Sequence, residues 1–117
     1  MIQQSKIREI VQTIVAEFQP RRIILFGSQA TGKASRDSDL DLLILTERDV
    51  SPLALSRAIR RRVAHFGVPV DILVKSMEEF EQFKSVIGTI SYPADKFGKV
   101  LYDSKRRNMG RRKAMDR

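Results

Sequence analysis

Residues 22–46, RIILFGSQATGKASRDSDLDLLILT, consist of two apolar runs joined by a polar segment. The first run, RIILF (22–26), ends at Gly27 and is typical of a short buried strand. The second run, DLDLLILT (39–46), predicts another strand, one that begins with two acidic residues separated by a leucine. These two strands are expected to belong to one small sheet.

Helix and strand patterns alternate on both sides of this stretch. Residues 68–74, VPVDILV, predict a third strand, and residues 99–102, KVLY, a short edge strand. Before the first strand, residues 4–18 predict a helix that ends before Pro20. Its apolar side chains recur at helical spacing and form one wide stripe: Ile7, Ile10, Val11, Ile14, Val15 and Phe18.

Two further helical regions carry recognisable boundary signals. Ser51 is suited to cap a helix that starts at Pro52 and stops at Gly67. Ser76 and Glu79 have the spacing of a capping box and open the next helical region, which Pro93 interrupts or restarts. The alternation predicts an α/β fold with a small mixed sheet and flanking helices.

Composition and charge limit the function classes. The 117 residues suffice for one domain, predicted at 1–104, followed by a basic and flexible tail at 105–117. The net charge is +8, and the tail supplies most of it, with seven Lys/Arg and one Asp. The chain has no cysteine, which excludes disulfides and thiolate metal sites. No apolar run approaches the roughly 20 residues of a membrane helix, so a cytoplasmic protein is expected.

The acidic pair at the start of the second strand indicates a metal site. Because side chains alternate along a strand, Asp39 and Asp41 share one face. Two carboxylates placed this close repel each other and lose hydration inside a sheet. A divalent cation reverses that balance, since it takes several hard oxygen ligands. Asp71 lies opposite to the apolar side chains of the third strand, and could join the pair if the strands are neighbours. Three such carboxylates could hold two magnesium ions.

The segment after the first strand suits a phosphate group. Gly27 permits an unusual backbone turn, and Ser28 could cap a short helical turn that ends at Gly32. The free N–H groups at the start of such a turn attract phosphate. Lys33 and Arg36 follow in the loop and would add positive charge. A phosphate site beside an acidic metal cluster indicates phosphoryl or nucleotidyl transfer.

In combination these residues resemble the DNA polymerase beta-like nucleotidyltransferases. The shared pattern is Gly27-Ser28, ten residues, Asp39-x-Asp41 and a later strand aspartate, here Asp71. The resemblance spans roughly residues 5–103 and is closest to the minimal nucleotidyltransferases, which are single small domains. At the position after Gly-Ser many relatives carry an arginine or an aromatic residue, whereas this chain has a glutamine.

The resemblance implies a role for each matching residue. Gly27 and Ser28 would hold the triphosphate, and Asp39 and Asp41 would bind Mg²⁺. Asp71 would be the third carboxylate and help to deprotonate the acceptor. The reaction would move AMP, or another nucleoside monophosphate, from ATP or another NTP to a hydroxyl. Relatives of this size often act as antitoxins that modify a tyrosine of a HEPN-domain ribonuclease toxin, and they can also bind that toxin tightly.

Two alternatives to an active enzyme remain open from the sequence. The first is a binding module that neutralises a partner protein by contact alone, since about 100 residues leave no room for a separate acceptor domain. The second is a nucleic-acid-binding protein that uses residues 105–117 as a basic arm. The low aromatic content, 7%, argues against extensive base stacking and hence against the second.

Overall fold

The computed structural model describes residues 2–34 and 39–105. Within these ranges no helix combines the length and the apolar character needed to span a membrane. The described chain folds into five α-helices, one 3-10 turn (Ala64–Phe66) and four β-strands. In chain order the regular elements are α1 (Gln4–Phe18), β1 (Arg22–Phe26), α2 (Ser28–Thr31), β2 (Leu40–Thr46), α3 (Pro52–Val63), β3 (Val70–Ser76), α4 (Met77–Phe83), α5 (Ser91–Phe97) and β4 (Lys99–Asp103).

The four strands form one mixed sheet in the order β3-β2-β1-β4. Strand β1 is antiparallel to both β2 and β4, whereas β2 and β3 run parallel. The parallel pair needs a crossover connection, which α3 supplies. The predicted α/β fold with a small mixed sheet and flanking helices is therefore confirmed, and KVLY lies in an edge strand as expected.

Strand β2 lies inside the sheet and sends its side chains into two separate cores. Leu40, Leu42 and Ile44 pack with α1 and α3 on one side, which we call the α1/α3 face. Leu43 and Leu45 pack on the other side, the α4/α5 face, with residues of α4 and α5. All five side chains are fully buried, so β2 is anchored on both faces of the sheet.

Some boundaries differ from the sequence-based expectation. The third strand was expected at 68–74 but occupies Val70–Ser76. Proline has no N–H for the ladder, and Pro69 contributes its carbonyl, which accepts a hydrogen bond from the Leu40 N–H at 2.9 Å. At its other end the strand continues because Ser76 still pairs with Thr46. Pro93 lies in the first turn of α5, so it belongs to the restart of the helical region.

The two serines cap their helices as the sequence predicts, whereas the Glu79 carboxylate accepts a hydrogen bond from Lys75 Nζ at 2.8 Å. The Ser51 hydroxyl accepts a hydrogen bond from the Ala54 N–H at 3.3 Å, and the Ser76 hydroxyl accepts one from the Glu79 N–H at 3.0 Å. These bonds satisfy donors that the first turns of α3 and α4 would leave without helical partners. They fix where each helix leaves the sheet.

Candidate active site

Two of the three predicted carboxylates lie side by side in the sheet. Asp41 on β2 pairs in register with Asp71 on the parallel strand β3. Asp39 lies one residue before β2 and is exposed. Leu40 and Leu42, which alternate with these acids, are fully buried on the α1/α3 face. The acids therefore belong to the α4/α5 face, at the end of the sheet where β2 and β3 begin.

The three acids interact electrostatically. Partial burial raises the pKa of Asp41 above its usual value, and the negative charges of Asp71 and then Asp39 raise it further. Asp41 is half-buried, while Asp39 and Asp71 are exposed. The fold therefore places three carboxylates close enough to repel one another, an arrangement that is characteristic of sites that bind a cation.

The chemistry of these side chains fits magnesium. Carboxylate oxygens are the hard donors that Mg²⁺ prefers, and exposed acids leave room for the waters that this ion retains. Across residues 2–34 and 39–105, no three acidic, histidine or cysteine side chains are grouped at metal-binding spacing. Because unneutralised carboxylates repel one another, a bound cation would have to draw Asp39 and Asp71 towards Asp41.

Gly27 is required by its contact with Asp41. Its backbone has φ +74° and ψ −158°, a combination that is open essentially to glycine alone. A Cβ atom built at this position would overlap the Oδ2 atom of Asp41. Phe26, the residue before it, is the β1 partner of Asp41. The turn after β1 is thus pressed directly against the central carboxylate.

The short helix α2 follows this turn, with one difference from the prediction. Gly27 occupies the N-cap position and Ser28 is the first helical residue, so the Ser28 side chain is not the cap. The Gly27 carbonyl accepts hydrogen bonds from the N–H groups of Ala30 at 3.1 Å and Thr31 at 3.3 Å. The earlier N–H groups of such a turn have no helical acceptor. A phosphate bound at the start of α2 would lie beside the acids.

Two basic residues, Lys33 and Arg36, were predicted in the loop after α2, and Lys33 lies within the described ranges. Gly32 closes α2 in the left-handed region, and the Lys33 N–H donates to the Ser28 carbonyl at 3.0 Å. The Lys33 side chain is exposed. Arg36 lies outside the described residues, as does the basic tail from residue 106 onward. Their expected roles stay predictions.

Gln29 departs from the pattern of many relatives, and it has a structural role here. Its side chain is only 6% exposed, and its Oε1 atom accepts a hydrogen bond from the Ile2 N–H at 3.4 Å. Gln29 also lines an apolar groove of about 640 Å³ between α1 and β4, together with Leu101 and Tyr102. None of the three acids lines that groove. Gln29 therefore connects α2 to the N-terminal segment.

Comparison with known proteins identifies a family and several relatives. The nucleotidyltransferase domain family matches residues 5–95, a range that includes every candidate site residue. A protein of Methanocaldococcus jannaschii, named "Putative protein adenylyltransferase", is 29% identical over 104 residues, which are 87% of this chain and 100% of that protein.

Two solved toxin–antitoxin structures have the same fold. One is a complex of the tri-AMPylated Shewanella oneidensis HEPN toxin with an MNT antitoxin. Its matched chain is 16% identical to this chain with a TM-score of 0.56, and the match covers 92% of this chain and 78% of that chain. The other contains AMP-PNP and is 18% identical with a TM-score of 0.56, over 92% and 79%. The family match covers most of the chain and all three acids. The chain therefore belongs to the nucleotidyltransferase domain family.

Proposed function

We propose that this nucleotidyltransferase transfers AMP from ATP to a hydroxyl group of a HEPN-domain partner, and that it acts as the antitoxin of that partner. The observation that carries the proposal is the in-register pair Asp41–Asp71, with the Gly27 turn pressed against Asp41. In this arrangement the turn that would bind phosphate lies against Asp41, at the end of the sheet that also carries Asp71. The relatives named above support the adenylyl group and the HEPN partner.

The candidate residues divide into cation ligands and groups that bind the triphosphate. Asp39, Asp41 and Asp71 would hold Mg²⁺, which when bound neutralises charge on the phosphates and favours ionisation of an attacking hydroxyl. The N–H groups at the start of α2 would bind the triphosphate, with Lys33 and Arg36 adding positive charge. The acceptor oxygen attacks the α-phosphorus, and the bond between that phosphorus and the bridging oxygen breaks to release pyrophosphate.

The acceptor hydroxyl must also lose its proton. Asp71 is exposed and lies next to Asp41, so it is available to accept this proton, to bind the cation, or both. The AMPylated HEPN toxin of the solved complex supports an acceptor on a HEPN-domain partner. A tyrosine is the acceptor we favour from the family resemblance. An acceptor supplied by another protein also agrees with the small size of the described domain.

Transfer of label from α-labelled ATP tests the proposal. The full chain would be incubated with Mg²⁺ and the HEPN-domain protein of the same organism. We expect the double variant Asp39→Asn/Asp41→Asn to lose activity by about 100-fold or more, since it loses two cation ligands. Asp49→Asn is the matched control, because Asp49 is an exposed acid beyond the opposite end of β2. Equal labelling by the wild type and the double variant would refute the proposed site.

The same variants separate catalysis from binding alone. If the double variant still blocks the ribonuclease activity of the HEPN protein without labelling it, inhibition proceeds by contact. If the block disappears together with the label, AMP transfer is the inhibitory step. Label in nucleic acid instead of protein would move the acceptor to RNA or DNA, and deletion of residues 105–117 would then test the basic arm.

A further inference from the structure

One aromatic side chain of the α4/α5 face lies mostly outside the core. Phe97 is the last residue of α5, and it is the one phenylalanine among the described residues that lies mostly in solvent, with 62% exposed. By contrast Phe80 of α4, on the same face of the sheet, is 1% exposed. Burying such a side chain stabilises a fold, so this fold forgoes that gain at Phe97.

The position of Phe97 is fixed by the residue that follows it. The Gly98 N–H donates to the Ala94 carbonyl at 3.1 Å. A Cβ atom at Gly98 would lie 2.7 Å from the Cγ2 atom of Ile24, which is far closer than side chains pack. Ile24 and Ala94 both belong to the core of the α4/α5 face. The end of α5 is therefore seated tightly on β1, on the face that carries the acids.

This seat lies at the same end of the sheet as the catalytic acids. Ile24 is two residues before Phe26 on β1, and Phe26 pairs with Asp41. One two-residue step is about 7 Å and one strand spacing is about 5 Å, so the end of α5 lies on the order of 10 Å from Asp41. Phe26 is half-buried and lies between them. The end of α5, Phe26 and Asp41 therefore follow one another across this face of the sheet.

We propose that the Phe97 ring stacks on the base of the bound nucleoside triphosphate, a role that rests on the proposed function. A nucleoside triphosphate has a flat aromatic base at one end and phosphates at the other. If its phosphates lie at the acids, its base can reach Phe97. The phosphates lie at the acids and α2, and the ribose lies over Phe26. Stacking on an aromatic side chain accepts any base, because every base presents a π-face.

The relative affinities for ATP and inorganic tripolyphosphate test this assignment, because tripolyphosphate has phosphates but no base. Both would be titrated in Mg²⁺ by calorimetry into the wild type and the variant Phe97→Ala. We expect the variant to bind ATP about 10-fold more weakly, which corresponds to about 1.4 kcal/mol, and to bind tripolyphosphate as the wild type does. Phe97→Trp should restore ATP binding, since it keeps a stacking surface.

Ile87→Ala is the matched control. Ile87 is an apolar side chain with 80% exposure in the segment between α4 and α5, so its truncation removes exposed surface without removing an aromatic ring. It should bind both ligands as the wild type does. Melting curves of all variants check that each is folded.

Two results would overturn the assignment, and they are distinguishable. If the wild type binds ATP but Phe97→Ala binds it equally well, or loses both ligands to the same extent, Phe97 does not contact the base. If the wild type binds neither ATP nor tripolyphosphate, the proposed function fails and the base site fails with it.

Discussion

The two faces of the sheet differ in how completely they are covered. The α1/α3 face carries the larger core, formed by α1, α3 and inward side chains of β1, β2 and β3. The α4/α5 face has a smaller core around Ile24, Leu43, Leu45, Phe80 and Ala94. The covering helices α4 and α5 have seven residues each, against fifteen for α1 and twelve for α3. Short helices leave one end of the second face open, and the acids lie there.

This difference shows that a single strand can contribute side chains to the hydrophobic core and to the candidate active site. Leu42 and Asp41 are neighbours on β2, yet Leu42 is fully buried whereas Asp41 is half-buried beside two other carboxylates. The alternation of side chains sends one to the packed face and the other to the open face. Strand β2 can hold like charges together because its other side chains anchor it firmly.

Truncating the packed face should have the largest effect on stability. Ile14 of α1 is fully buried in the core of the α1/α3 face, so Ile14→Ala should lower the free energy of unfolding by about 2–5 kcal/mol. Nucleotide transfer per folded molecule should persist, because Ile14 lies across the sheet from the acids. Urea titration measures the first and the labelling assay the second. Leu53→Ala, at a 60% exposed position, should change stability by less than about 0.5 kcal/mol.

Adding a methyl group at Gly27, at the open end of the α4/α5 face, should lower both stability and transfer activity. Gly27→Ala forces an alanine into a glycine-only conformation and pushes its Cβ against the Asp41 carboxylate. We expect a loss of about 1–3 kcal/mol in unfolding free energy, together with a loss of transfer activity.

Gly88→Ala is the control for the strain at Gly27. Gly88, in the segment between α4 and α5, has φ +99° and no atom within 4 Å of a built Cβ, so the substitution introduces backbone strain without touching Asp41. It should lower stability while leaving transfer intact. Equal loss of transfer in both variants would contradict the claim that Gly27 acts through Asp41.

Neutralising the central acid should have the smallest effect on stability, with a defined pH dependence. Because the pKa of Asp41 is raised in the folded state, ionisation of this carboxyl opposes folding. The penalty is absent below the unfolded pKa of 3.8 and is complete once the pH has risen through the folded pKa. Asp41→Asn should therefore be slightly more stable than the metal-free wild type at neutral pH.

Melting temperatures without Mg²⁺ across the acidic range measure this difference. It should shrink as the pH falls through the folded pKa and vanish well below 3.8, where the wild-type carboxyl is protonated in both states. Asp49→Asn, an exposed acid remote from the cluster, controls for the change in net charge. A variant less stable than the wild type at neutral pH would show that the Asp41 carboxylate stabilises the fold instead of straining it.

Most elements of the fold could be predicted because their signals are local. The apolar stripe of α1, the caps at Ser51 and Ser76 and the alternation around Asp41 each depend on a few consecutive residues. The start of β3 was misplaced because a strand begins where a partner is available, and that partner, Leu40, is 29 residues before Pro69.

The environments of Gln29 and Phe97 could not be predicted for the same reason. A glutamine after Gly-Ser gives no local sign that its side chain will turn inward to the Ile2 backbone. A phenylalanine in an amphipathic segment is expected in a core, and only the seat of Gly98 on β1 leaves Phe97 in solvent. Both outcomes depend on contacts between distant parts of the chain.

The sequence by itself determined the family, the fold class and the candidate acids, because periodicity, caps and the spacing from Gly27 to Asp41 are properties of the chain alone. Only the tertiary structure decided that Asp41 pairs with Asp71, that Gly27 leaves no room for a Cβ beside that pair, and that Phe97 is left in solvent. The physical reason is that strand order and register follow from packing the whole core, and the sheet then brings residues 27, 41, 71 and 97 to one end.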